Sequence, residues 1–98
     1  MLLAHAVTLA EARSYLAALA DQALSFDASV EYERVLLQLD YLHGDLIPGI
    51  TPAPAYTRDV LFDVAHAAIE ELDEHGVDLL SVELLLDMLE TAWSKDLP

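Results

Sequence analysis

The chain has 98 residues and a formal net charge of −14, because eighteen Asp and Glu face only four Lys and Arg. This length fits one domain, and a hydrophobic content of 55% supplies enough apolar side chains for a core, which excludes intrinsic disorder. The lack of cysteine excludes disulfides, thiolate metal sites and cysteine nucleophiles. The acidity disfavours direct binding to nucleic acid or to an anionic membrane, because both need Lys and Arg.

The apolar N-terminal stretch does not have the features of an export signal. It lacks a cationic segment, and Glu11 and Arg13 interrupt the apolar run early. No run reaches the roughly eighteen apolar residues that a membrane span requires. We therefore expect no membrane association and a cytoplasmic location.

Two helices are predicted in the first half of the chain. The first covers residues 8–25, with Thr8 as its cap and Glu11 at the spacing of a capping box. The second covers residues 28–43, is capped by Asp27 or Ser29, and ends before Gly44.

A crossover with three prolines, residues 44–56, follows the second helix. Its length favours either a binding loop or a segment that folds back on its neighbours. The second helix offers a place for such a segment, since Val30, Leu37 and Tyr41 form a narrow apolar stripe apart from its main apolar face. The sequence leaves open whether the crossover covers this stripe or a partner does.

Two further helices are predicted in the second half of the chain. The third covers residues 57–75, ends at Gly76, and carries Asp63, His66 and Glu70 on an acidic outer face. The fourth covers residues 79–94, has its start signal at Asp78 or Ser81, and is apolar around most of its circumference. Such a helix is either central in a bundle or buried in an interface.

The whole pattern predicts an all-α, four-helix bundle-like single domain, residues 1–98, with a proline-containing crossover between helices two and three. No stretch alternates apolar and polar residues over a useful length, so we expect no sheet.

The sequence shows no motif for catalysis. There is no glycine-rich phosphate loop, and no serine occupies a strand-to-helix turn of the nucleophile-elbow type. Asp40 with His43 and Asp63 with His66 have the spacing of metal-binding pairs, but on a helical wheel the two pairs do not converge. His43 and His75 each suit the end of a helix. We therefore expect no enzyme activity, no cofactor and no metal.

One segment, Gly76 to Leu84, resembles the Asp-Ser-Leu segment of acyl carrier proteins, which are also small acidic helical bundles. Leu79 stands where that family has its phosphopantetheine-bearing serine. The likeness covers about a tenth of the chain and predicts no carrier activity, so the sequence is assigned to no family.

The composition favours a non-catalytic, acidic protein-binding module, such as an inhibitor, immunity protein or antitoxin that meets a basic partner. The predicted contact residues combine aromatic and acidic side chains: Tyr32, Asp40, Tyr41, Tyr56, Asp63 and Glu70.

The alternative is a self-associating structural or regulatory subunit, a homodimer formed through the fourth helix by Leu84, Met88 and Trp93. A remoter alternative is a carboxylate and histidine metal-binding bundle that uses His43 and His66.

Overall fold

The computed structural model describes residues 2–44 and 47–97, and they form four α-helices with no strand among them. The helices are α1 (Leu3–Gln22), α2 (Phe26–His43), α3 (Arg58–Glu71) and α4 (Leu79–Lys95), and a 3-10 turn, Leu72–His75, extends α3. The prediction of an all-α, four-helix bundle-like fold is confirmed. None of the described helices combines the length and the apolar character that a bilayer crossing requires.

The helices occupy the corners of a square. α1 packs against α2 and α3, and α4 packs against the same two helices, so that α1 lies diagonally from α4 and α2 lies diagonally from α3. Neighbouring helices are antiparallel, since Thr8 near the start of α1 contacts Glu71 at the end of α3, and Lys95 at the end of α4 contacts Glu31 in α2. This arrangement separates the outer faces of α2 and α3.

The core lies between the four helices and consists mainly of leucine and alanine. Its largest fully buried side chains are Tyr32, Leu9, Leu16, Leu19, Leu39, Leu61, Ile69, Leu72, Leu85 and Leu89. Removing this apolar surface from water is the main favourable term in folding.

The start of the first helix differs from the prediction. α1 begins at Leu3, and Thr8 lies buried inside the helix instead of capping it. Its hydroxyl donates to Glu71 at 3.1 Å and accepts from His75 at 3.3 Å. The capping-box interpretation was wrong because leucine and alanine upstream are strong helix formers and the hydroxyl has a tertiary partner.

The other helix ends follow ordinary capping chemistry. Ser25, and not Asp27 or Ser29, caps α2 by accepting from the backbone N–H of Ala28 at 3.1 Å, so this helix also starts earlier than predicted. Asp78, one of the two predicted starts, caps α4 in the same way by accepting from the backbone N–H of the other, Ser81. Gly44 and Gly76 follow their helices with positive φ, which confirms both predicted stops.

The crossover lies on α1. The backbone N–H of Thr51 donates to Ser14 at 3.1 Å, and Arg13 donates to the carbonyl oxygen of Pro48. The ring of Tyr56 lies 6.3 Å from that of Tyr15. The alternative in which the crossover covers the apolar stripe of α2 is therefore wrong for residues 47–57.

This placement also identifies the most enclosed helix. α1 packs on two helices and is covered on its outer side by the crossover, so that even Ser14 is buried. α4 was expected to be either central or buried in an interface, and the structure shows that it is not central. It exposes Leu79, Leu80 and Leu84, so its burial in an interface stays a prediction. The alanine-rich sequence of α1 suits this enclosed position, because small side chains permit close approach of neighbouring segments.

A buried carboxylate, Asp96, joins three helices at the end of the bundle where α4 finishes. Asp96 is fully buried, pairs with Arg58 of α3 at 2.7 Å and accepts from the hydroxyl of Tyr32 of α2 at 2.9 Å. It also accepts from the backbone N–H of Leu24 at 2.8 Å. Burial and the bond to Asp96 raise the pKa of Tyr32.

Candidate partner-binding surfaces

The predicted partner-binding residues do not form one surface. Asp40 and Tyr41 lie on α2, whereas Asp63 and Glu70 lie on α3, the helix diagonally opposite. The sequence pattern could assign these residues to the outer faces of their helices. It could not show that α2 and α3 stand at diagonally opposite corners of the bundle.

Tyr32 is a correction to the predicted set. Its side chain is fully buried, and its hydroxyl is bonded to Asp96, so it cannot contact a partner directly. The prediction failed because a tyrosine on a helix is compatible with either the core or the surface, depending on whether a buried acceptor is available.

The remaining α2 and crossover residues have different surroundings. Both carboxylate oxygens of Asp40 accept from Arg13, at 2.7 and 3.1 Å, so its charge is compensated. Tyr41 is 81% exposed and Tyr56 is 45% exposed. Only the tyrosines therefore remain available as contact residues in this part of the molecule.

The seam between α3 and α4 is aromatic. The rings of Phe62 and Trp93 lie 4.7 Å apart, and the guanidinium of Arg58 lies 5.8 Å from the ring of Trp93. Both aromatic side chains are half-buried, so part of each reaches the surface. His66 continues the seam, with Nδ1 2.7 Å from Glu70 and Nε2 3.5 Å from Glu90.

Unpaired carboxylates surround this seam. Each Lys and Arg of the chain contacts Asp40, Glu31 or Asp96, none of which is an exposed residue. Within residues 2–44 and 47–97, no exposed carboxylate lies within salt-bridge distance of Lys or Arg. On the outer side of α3 and α4 these exposed acids are Asp59, Asp63, Glu70, Glu83, Asp87 and Glu90, whereas exposed Glu71 contacts Thr8 of α1. We call this region, together with Phe62, His66 and Trp93, the acidic α3–α4 face.

The outer face of α2 has the opposite character. Phe26, Leu37 and Tyr41 are 82%, 68% and 81% exposed, and Val30 is half-buried between them. We call these four residues the α2 apolar stripe. Exposed apolar sets of this kind often mark contact surfaces, so the stripe is a candidate surface.

The predicted self-association residues are only partly accessible. Leu84 is 48% exposed, whereas Met88 and Trp93 are half-buried against the core. The exposed apolar surface of α4 consists instead of Leu79, Leu80 and Leu84 at the start of the helix. Dimerisation through the fourth helix stays a prediction, and these leucines are its most accessible part.

Three histidines converge at the opposite end of the bundle from Asp96. His5 lies near the start of α1, with Nε2 2.9 Å from Nε2 of His43 and its ring 5.4 Å from that of His75. Nδ1 of His43 donates to the carbonyl oxygen of Leu39 at 2.8 Å, so in its neutral form Nε2 accepts from His5. Burial, with the adjacent His43 and His75, lowers the pKa of His5.

The sequence pattern did not predict this cluster. It placed His43 and His75 at helix ends, which is correct, but His5 lay outside the predicted first helix. In the two Asp and His pairs of the sequence, the side chains contact other partners, since Asp40 pairs with Arg13 and His66 lies 2.7 Å from Glu70. Among the described residues, no three histidine or carboxylate side chains are arranged to hold a metal ion.

Comparisons with protein-family models, with curated proteins and with solved structures find no match for this chain. The functional interpretation therefore depends on its own surfaces. The two that stand out are the acidic α3–α4 face and the α2 apolar stripe, and they lie on different corners of the bundle.

Proposed function

We propose that the protein is a non-catalytic binding module whose acidic α3–α4 face takes a basic segment of a partner protein. The observation that carries this proposal is the combination of carboxylates without Lys or Arg partners and a half-exposed aromatic pair. The carboxylates accelerate encounter with a basic surface, and the aromatic side chains provide the contact that slows dissociation.

The geometry of the seam suits Arg and Lys side chains. Glu70 and Glu90 stand on the two helices with His66 between them. A partner's guanidinium placed there would meet a carboxylate on each side and lie near Trp93. The ring of this tryptophan already has one guanidinium, that of Arg58, 5.8 Å from its centre, which shows that it suits a cation. Inhibitors, immunity proteins and antitoxins of basic targets in the cytoplasm are the class of protein that this chemistry favours.

The test uses a defined probe and the protein's own fluorophore. Trp93 is the only tryptophan in the chain and belongs to the proposed face. We expect a synthetic amphipathic helix of leucine and lysine to change its emission, whereas a leucine and glutamate helix of the same length does not. Raising the salt concentration should weaken the binding, because it screens exposed charges.

A charge-matched pair of variants tests the location. Asp63→Asn/Glu70→Gln/Glu90→Gln removes three charges from the face, and Glu11→Gln/Asp21→Asn/Asp27→Asn removes three exposed charges elsewhere. We expect the first variant to bind about tenfold more weakly and the second to bind nearly as the parent does. Equal weakening of both would show that only the net charge matters and would overturn the assignment of the face.

The self-associating subunit remains the second candidate, because Leu79, Leu80 and Leu84 are exposed together at the start of α4. Salt and one variant together distinguish the two functions. Binding of a basic partner weakens as salt rises, but association of two chains of charge −14 strengthens, because their mutual repulsion is screened. Light scattering at low and high salt gives the sign of self-association, and only a dimer that is lost with Leu80→Asp belongs to α4.

A further inference from the structure

The α2 apolar stripe has a regular geometry. At 100° per residue, Phe26, Val30, Leu37 and Tyr41 fall within about 60° of one another on the helix. They therefore form one straight stripe along nearly the full length of α2, from its first residue to its last turn. The crossover lies on α1 and leaves this stripe exposed.

The stripe is symmetric about its own centre. The midpoint between Glu33 and Arg34 is equally far from Val30 and Leu37, about 5 Å along the axis, and equally far from Phe26 and Tyr41, about 11 Å. In an antiparallel pair of identical helices, a residue on one side of the midpoint faces its counterpart from the other side. Such a surface is complementary to itself, as a twofold interface requires.

The charges around the stripe nearly balance, unlike those on the acidic α3–α4 face, because three cations on or next to α2 offset most of the charge of its four acids, Asp27, Glu31, Glu33 and Asp40. Arg13 pairs with Asp40, Lys95 pairs with Glu31, and Arg34 lies on α2 itself. Three of the four Lys and Arg side chains of the chain therefore pair with carboxylates of this helix. Two copies that each carry −14 can approach most closely where the local charge is lowest.

We propose that a second copy of this chain docks on the α2 apolar stripe in an antiparallel α2–α2 contact. Phe26 of each copy then packs against Tyr41 of the other, and Val30 against Leu37. Two Glu33 and two Arg34 side chains meet at the midpoint and carry no net charge together. α2 and α3 are diagonal, so the dimer leaves the acidic α3–α4 face free, and this inference does not depend on the proposed function.

Matched leucine variants test the location of the contact. Leu37 is 68% exposed on α2 and Leu80 is 74% exposed on α4, so Leu37→Asp and Leu80→Asp place the same charge at comparably exposed sites. We expect sedimentation at concentrations up to about 1 mM to show a dimer for the parent and for Leu80→Asp. Leu37→Asp should be a monomer with unchanged helical circular dichroism, since the side chain lies outside the core.

Charge reversal at the midpoint should weaken the dimer, and a second, compensating reversal should restore it. Arg34→Glu makes the midpoint strongly negative and should raise the dimer dissociation constant at least tenfold. Glu33→Arg/Arg34→Glu restores neutrality and should recover the parent value. Failure of the double variant to recover would overturn the midpoint assignment.

Single cysteines test the register, since the chain has no native cysteine. Glu33→Cys lies next to the twofold axis and should form a disulfide with its own copy on mild oxidation. Phe26→Cys should crosslink poorly with itself but efficiently when mixed with Tyr41→Cys.

A monomeric parent at all salt and protein concentrations, or a dimer lost with Leu80→Asp and kept with Leu37→Asp, would overturn the proposal. The second result would instead support dimerisation through α4.

Discussion

The outer faces of α2 and of the α3–α4 pair differ in how the fold distributes its few cations. Around α2, Arg13, Arg34 and Lys95 offset most of the charge of its four acids, and an apolar stripe remains. Next to the acidic α3–α4 face, Arg58 is committed to buried Asp96 and compensates none of the exposed acids. A chain with a net charge of −14 thus carries one nearly neutral surface and one strongly negative surface, which suit different partners.

The largest expected effect comes from Asp96, the buried residue that links the helices of the two faces. Asp96 links Tyr32 of α2 to Arg58 of α3, and Asp96→Ala would leave Arg58 without its partner and the tyrosine hydroxyl without an acceptor. Breaking a buried pair of this kind costs about 3–5 kcal/mol in the free energy of unfolding. We expect thermal unfolding to begin more than about 10 °C lower.

The matched control for that experiment is Asp87→Ala, which removes an exposed carboxylate from the same helix. Its melting temperature should stay within about 2 °C of the parent. Equal effects of the two substitutions would contradict the role of Asp96 as the link between the faces.

A smaller loss of stability is expected from a change at Arg13, which pairs with Asp40 of α2 and lowers the net charge around this helix. Arg13→Gln leaves Asp40 unpaired and removes a donor from Pro48, so it should loosen the crossover and cost about 2 kcal/mol in chemical unfolding. It also adds negative charge beside the α2 apolar stripe and should weaken self-association. Arg34→Gln, which is exposed, should leave the free energy of unfolding nearly unchanged.

The smallest expected effect concerns pH. The pKa of His5 is lowered in the fold, so below its ordinary value of 6.5 the unfolded chain binds more protons than the native one. The contribution of His5 to stability should therefore fall as pH decreases from 6.5 towards its lowered pKa, and His5→Gln should show a shallower decline there. Denaturant midpoints measured from pH 7.5 to 5.5 test this, and parallel curves for the two proteins would contradict it.

The sequence predicted the features that depend on neighbours along the chain. The helix stops at Gly44 and Gly76 and the cap at Asp78 follow from local backbone chemistry, and the structure confirms them. The start at Thr8 failed because the hydroxyl is bonded to Glu71, far away in sequence. A local pattern cannot distinguish a cap from a tertiary contact when the same side chain can make either.

The candidate surfaces were predicted only in part. Exposed positions such as Tyr41, Asp63 and Glu70 follow from helical periodicity, which assigns each residue to a face of its own helix. Periodicity does not determine which helices are neighbours, so it could not separate Tyr41 from Glu70. Nor could it predict that His5, His43 and His75 would meet.

By itself, the sequence determined the all-α class, the number of helices, the stops at Gly44 and Gly76 and the large excess of negative charge, because these depend on composition, periodicity and local caps. It did not determine the end of the first helix, which stops at Gln22 and not at residue 25, because Ser25 caps the next helix. The tertiary structure alone decided that α1 is the enclosed helix, that Tyr32 is buried on Asp96, and that one outer face is neutral while another is acidic. The physical reason is that the partners in each case come from distant parts of the chain, and only packing brings them together.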